Sequence, residues 1–292
     1  MFTTRIRQIV ATKISQHSAS DATTGTMLQC VVPMQPSPVA PRWPWVICSR
    51  SMEGHMVNPV RPLDDHYRSP PCTLRALASV ESFPGGLHEF CAGDGILAAT
   101  AADIVGSGNV VATTIGDVTE KKTYFPVIGN QDFLKREELI KPNLVSNTPY
   151  GRLYGERVGR ARAATTIIKH GIDLLTDAGP TGGKLCCLLD LRYLLSEDRN
   201  LDDGLFIDHP PARVHAFMDR ITMYPAAFEG KTTRGKQCFA WFVWEWPFLR
   251  PGHLPTITSR LHGKAFVHPT DKERFDLSDI VSTKQEVQEA AE

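Results

Sequence analysis

At positions 87–95 the run LHEFCAGDG passes from an apolar segment through two glycines, and the Ala-rich stretch ILAATAADIV follows at once. A strand that turns this tightly into a helix is the opening unit of an α/β sheet, because glycine takes backbone conformations closed to other residues. The rest of the chain keeps that alternation. Residues 73–80 and 161–175 carry helical spacing, and Gly179 with Pro180 stops the second of them. The β-branched run at 109–115 reads as a strand. Short apolar strands are expected at 143–146, 184–189, 213–218 and 239–244. Strands alternating with helices predict an open sheet with crossover helices. In FAWFVWEW, Phe239, Trp241, Val243 and Glu245 share one face and Ala240, Phe242, Trp244 and Trp246 the other. Both faces are mostly apolar, which favours a buried strand over a base-stacking platform. Adjacent Cys186 and Cys187 should point to opposite sides of their strand.

Composition narrows the class. Lys+Arg and Asp+Glu are both 32, so any polyanion must be met by a local basic face. The seven cysteines form no CxxC pair, so neither a disulfide framework nor a zinc site is expected, and a reduced cytoplasmic setting fits. No apolar run approaches the roughly 18 residues of a membrane span. Residues 1–60 are rich in Ser, Thr and Pro, with four prolines in MQPSPVAPRWPW, and read as a disordered or irregular extension. An untargeted tail is favoured there over an organelle transit peptide, and Met56 is a further candidate start. Residues 61–250 are expected to form the folded domain, and 251–292 a mostly irregular extension.

In an open α/β sheet, ligands sit beyond the carboxyl ends of the strands. The run EFCAGDG (Glu89, Cys91, Gly93, Asp94, Gly95) occupies that place. It is not GxGxxG, so a dinucleotide pyrophosphate is not the expected ligand. Glu89 could hold a cationic amino group or order water, and Asp94 could accept from the same moiety. An acid commonly ends the second strand to hold ribose hydroxyls. Thr114 stands there instead, and Asp117 either reaches back or the contact is missing. Asp132 could accept from an adenine amino group with Phe133 packing nearby, or it caps a helix.

The run LVSNTPY brings a second strand into the loop Asn147-Thr148-Pro149-Tyr150. An exocyclic amine is a poor nucleophile because its lone pair is delocalised into the ring. Two acceptors on its hydrogens localise that pair. The Asn147 side-chain oxygen and the Thr148 carbonyl can serve, with Pro149 stiffening the turn and Tyr150 offering a flat face to a flipped base. Arg152, Arg157, Arg160 and Arg162 follow, against one acid, Glu156. They suit phosphates or form a solvated face. Arg213, Lys231, Arg234 and Lys236 could extend that surface.

With these residues in hand, the chain resembles the adenine-specific DNA methyltransferases, particularly the compact class of phages and mobile elements. The resemblance spans residues 63–246 and includes DDHYRSPPCTLRAL, EFCAGDG, QDFL, SNTPYG, LCCLLDLRYLL, HPPARVHAFMDRITMYP and FAWFVWEW. It implies a Rossmann-like seven-stranded sheet with helices on both faces and the last strand antiparallel. It implies S-adenosylmethionine as cofactor, with contacts at Glu89, Gly93, Asp94 and Asp132 and from the segment around Tyr67 and Pro71. It further implies DNA as partner, with Asn147, Pro149 and Tyr150 in the methylating loop. That loop usually reads Asn-Pro-Pro-Tyr or Asn-Pro-Pro-Phe, so Thr148 is a departure, as is Thr114. Rival readings are methylation of RNA bases or glutamine side chains, and a vestigial homologue that only binds nucleic acid.

Overall fold

Leu, Val, Cys and Trp side chains with no room for water on either side build the centre of the molecule. The computed structural model describes residues 67–149, 152–153, 156–157, 160–179, 182–195, 197–200, 204–225, 232–233, 235, 237–247, 256–277 and 280–281. The expectations for residues 1–60, and for Tyr150, Lys231, Arg234 and Lys236, lie outside the described residues. Helix α1 (Cys72–Ala78) precedes strand β1 (Leu87–Glu89), helix α2 (Ile96–Val105), β2 (Val110–Thr113), β3 (Val127–Ile128) and β4 (Asn143–Ser146). Helix α3 (Arg160–Asp177) then leads to β5 (Gly183–Asp190), β6 (Arg213–Phe217), β7 (Phe239–Trp246) and β8 (Ile257–Leu261).

These strands form one sheet in the order β3-β2-β1-β4-β5-β7-β6-β8. β1 pairs in parallel with β2 and β4, β4 with β5, and β6 with β8. β7 is inserted antiparallel to both β5 and β6, and its register with β5 runs from Phe239 opposite Asp190 to Trp246 opposite Gly183. This is the Rossmann-like arrangement expected from the sequence, with one correction. The sheet has eight strands rather than seven.

The added strand, β8, lies in the stretch read as irregular. Its residues Ile257–Leu261 are mostly exposed and only Leu261 is buried, so no alternation marks it in the sequence. As an edge strand it needs only one partner. The two-residue β3 was likewise too short to leave a pattern.

Helices cover both faces. Leu74, Leu77, Leu97 and Ala101 of α1 and α2 pack on Leu87, Val145, Leu188 and Trp241. Ile167, Ile168, Ile172 and Leu175 of α3 pack on Leu144, Leu185, Cys187 and Phe242. Cys186 and Cys187 fall in these two opposite clusters, as the strand period requires. Each such side chain contributes about 1.5–3 kcal/mol when fully buried. The indole N–H groups stay satisfied: Trp241 donates to the Thr73 carbonyl (3.0 Å), Trp244 to His209 (2.8 Å) and Trp246 to Gly179 (2.9 Å). Among the described residues, no helix is long and apolar enough to cross a membrane.

At the amino ends of β5 and β6 a buried acid ties the sheet to α1. Glu81 accepts from Lys184 (2.6 Å), from His215 Nε2 (3.0 Å) and from Arg213. Arg213 also bonds Glu245 (2.7 Å), and His215 Nδ1 lies 2.5 Å from Ser259 Oγ. Burial alone would raise the Glu81 carboxyl, but the bonds from His215, Arg213 and Lys184 outweigh it and hold the group at about 2. Arg213 is therefore a structural partner of two carboxylates at the end of the sheet away from the Gly loop. It does not extend the basic face, because its guanidinium is already committed.

Candidate active site

From β1 the chain goes to β2 on one side of that strand and later to β4 on its other side. The crevice beyond the carboxyl ends of β1 and β4 is thus the topological switch point, where open α/β sheets hold ligands. The loop after β1 is built for a close approach. Gly93 and Gly95 have φ of 58° and 80°. A Cβ on Gly95 would lie 2.9 Å from Val127 Cγ2 and 3.2 Å from Phe125 Cβ, so a larger residue fails on conformation and on space. The Gly95 N–H donates to Ala92 (2.8 Å), and α2 begins at the next residue.

Glu89 ends β1 and is 3% exposed. One of its oxygens, Oε2, has no hydrogen-bond partner among the described residues. Burial pushes its carboxyl well above the ordinary carboxylate range, the Asp94 charge adds to that, and the Ala98 N–H opposes it. Asp94 is held differently, by an ion pair of 2.5 Å with Arg68 Nε. Cys91 stands between these acids and Asp132. Burial pushes its thiol up to about 12, against the Ser146 hydroxyl, so it is no nucleophile at neutral pH.

The loop after β4 meets the segment that precedes α1. Asn147 Nδ2 donates to the Tyr67 carbonyl at 3.3 Å, which fixes the plane of the amide and turns Oδ1 to its opposite edge. Thr148 is buried, and its hydroxyl has no partner among the described residues. Pro149 is half-buried beside it. Pro71 stands at the N-cap of α1, its carbonyl accepting from Leu74 (3.1 Å) and Arg75 (3.2 Å). Ser69, between Tyr67 and Pro71, is also buried, and its hydroxyl too has no partner among the described residues.

The other expected residues make contacts of their own. The Asp132 carboxylate accepts from the Leu134 N–H (3.0 Å), which is the cap alternative. Phe133 is buried in a stack on Phe90, with centroids 4.1 Å apart. Asp117 is exposed, and its carboxylate turns onto Thr119 N (2.9 Å) and Oγ1 (2.5 Å) rather than back toward the loop. Thr114 makes backbone bonds to Ile128 (3.1 Å) and Gln131 (2.9 Å). Arg152 and Arg157 face each other in register on a two-stranded antiparallel pair, and Arg160 begins α3.

Arg68, Ser69, Tyr124 and Asp276 were not foreseen as site residues. The run HYRSPP hinted at the first two. Tyr124 and Asp276 have no local signal, because they reach the Gly loop only through the tertiary fold.

Among the described residues, four buried oxygens without partners, on Ser69, Glu89, Ser146 and Thr148, come from the three segments that meet at the switch point. Unpaired polar atoms of this kind cost about 1–3 kcal/mol each and are sparse in folded proteins. Their grouping fits a ligand that brings its own hydrogen-bonding groups, such as an ammonium or sugar hydroxyls.

No family model matches the chain, and no curated protein matches it. Solved structures similar to it include a protein proposed to be a class I S-adenosylmethionine-dependent methyltransferase from Listeria monocytogenes (12% identity, 75% of this chain, 72% of that one, TM-score 0.44). Another is a proposed RNA methyltransferase from Pyrococcus horikoshii (13% identity, 63% and 87% covered, TM-score 0.40). A Thermoplasma acidophilum protein is similar at 13% identity over 60% and 87% of the two chains, with a TM-score of 0.37.

Proposed function

We propose that the switch-point crevice binds S-adenosylmethionine and that the chain methylates an exocyclic amine, adenine in DNA being the substrate. The observation that carries this reading is the meeting of the two loops. The Asn147 amide is oriented by the Tyr67 carbonyl beside a strand end whose acid, Glu89, keeps one oxygen unpartnered. When bound, the cofactor supplies a sulfonium-activated methyl group. The chain's own task is then orientation and electrostatics, with no strong base needed to start. Glu89 and Asp94 would hold the cationic amino group. Asn147 Oδ1 and the Thr148 carbonyl would take the two hydrogens of the target amine, leaving its lone pair for the new N–C bond as the donor's C–S bond breaks, and one of those hydrogens would then leave as a proton to solvent. Pro149 limits the loop's motion, and Tyr150 would stack on the flipped base. Arg152, Arg157 and Arg160 would meet flanking phosphates. Thr148 in place of the usual proline keeps the carbonyl that this scheme uses.

Transfer of labelled methyl to unmethylated genomic DNA, followed by nucleoside analysis, tests the reading. Label on the adenine amine is expected. Label confined to RNA or protein would keep the chemistry and replace the substrate. Asn147→Ala should lower transfer by about 100-fold or more while cofactor binding persists. Equal activity in mutant and parent would remove Asn147 from the mechanism.

A further inference from the structure

The Gly loop is gripped from outside the sheet. Arg68 spends all three guanidinium nitrogens: Nε on the Asp94 carboxylate (2.5 Å), Nη1 on the Asp276 carbonyl (3.1 Å) and Nη2 on the Phe275 carbonyl. Its plane also lies 5.2 Å from the centre of the Tyr124 ring. The Tyr124 hydroxyl donates to Asp276 Oδ2 (2.7 Å), and Lys122 pairs with that same oxygen. The Tyr124 N–H donates to the Asp94 carbonyl at 2.8 Å. The contacts close a ring, from Asp94 through Arg68, Asp276 and Tyr124 back to Asp94. Phe275 anchors it, fully buried against Ile96, Ala99 and Tyr224.

Asp276 adopts φ of 45°, a left-handed conformation that non-glycine residues take rarely and Asp takes more readily than most. In that conformation its carbonyl meets Arg68 while its carboxylate meets Lys122 and Tyr124. Charge is balanced within the ring, with Arg68 and Lys122 against Asp94 and Asp276. Without the Asp276 carboxylate, two cations would face Asp94 alone and compete with any cationic ligand for it.

We propose that Asp276 is a positioning residue for the cofactor's amino-acid end, acting through Arg68 and Tyr124 on Asp94. This rests on the reading of the crevice as an S-adenosylmethionine site. The prediction separates the two ends of the ligand. S-adenosylhomocysteine carries the amino-acid end and 5′-methylthioadenosine lacks it.

Calorimetric titration of the full chain and of Asp276→Ala with both ligands is the test. S-adenosylhomocysteine should bind the variant about tenfold more weakly, as the charge-assisted bond from Asp94 to the ligand weakens, and methylthioadenosine should bind both proteins alike. Arg274→Ala removes another ion pair of this segment, with Asp103 (2.5 Å), and should leave both affinities unchanged. Equal losses for the two ligands, or no loss, would overturn the proposal. Should Asp276→Ala fail to fold, Asp276→Asn keeps the shape and the tolerance of positive φ while removing the charge. A folded parent that binds neither ligand would overturn the cofactor reading beneath it.

Discussion

Two buried glutamates stand at opposite ends of the sheet, Glu81 at the amino ends of β5 and β6 and Glu89 at the carboxyl end of β1, and the protein treats them in opposite ways. Glu81, before the strand, is 7% exposed and bonded by His215, Arg213 and Lys184, and its carboxyl is held at about 2. Glu89, at the strand's carboxyl end, is 3% exposed with one oxygen unpartnered, and its carboxyl is pushed well above the ordinary range. Burial is similar, so the partners make the difference. At the amino end the fold supplies a cation or donor for the acid, and the network fastens α1 to β5, β6 and β7. At the carboxyl end it supplies the Ala98 N–H and leaves Oε2 without a partner among the described residues. A buried polar group left unsolved at a switch point marks where a ligand completes the structure.

Breaking the satisfied end should show the largest effect on folding. Glu81→Ala leaves Lys184 and Arg213 short of a partner and should lower stability by about 3–5 kcal/mol in urea denaturation. A loss under about 1 kcal/mol, the value of an exposed pair, would mean that the network contributes little. The pH dependence has a sign. A carboxyl depressed from 4.5 to about 2 contributes stability that is present above the higher value and lost as pH falls toward the lower one. Roughly 3 kcal/mol should disappear across that window, and Glu81→Gln should flatten the slope. Glu89 runs the other way. Its raised carboxyl favours the protonated form, so its contribution is complete at low pH and lost as pH rises through its folded value. Glu89→Gln mimics the protonated acid and should match the parent's stability at neutral pH or exceed it by about 1 kcal/mol, as thermal unfolding would show. A large destabilisation by Glu89→Gln would erase the contrast between the two ends.

The sheet was legible where burial is two-sided. FAWFVWEW, LCCLLD and NLVS read directly as strands, and ILAATAADIV as a helix over its observed span, because continuous apolar runs leave little choice. β8 escaped because an exposed edge strand carries no hydrophobic period. The Gly loop and the Asn147 loop were legible from residue types and their place after strands. The ring from Arg68 to Asp276 was not, since it depends on a turn brought back by the tertiary fold. Asp117 misled by position alone. In an exposed loop its carboxylate does better on the N–H and hydroxyl of Thr119 two residues on.

The most direct test of the contrast is titration of S-adenosylmethionine into the parent and Glu89→Gln chains, with thermal unfolding of both. If Glu89 is kept unpartnered for a ligand, the parent binds, the variant binds at least about tenfold more weakly, and its unfolding temperature is not lowered. A folded parent that does not bind, or a variant that binds as well as the parent, would contradict that account.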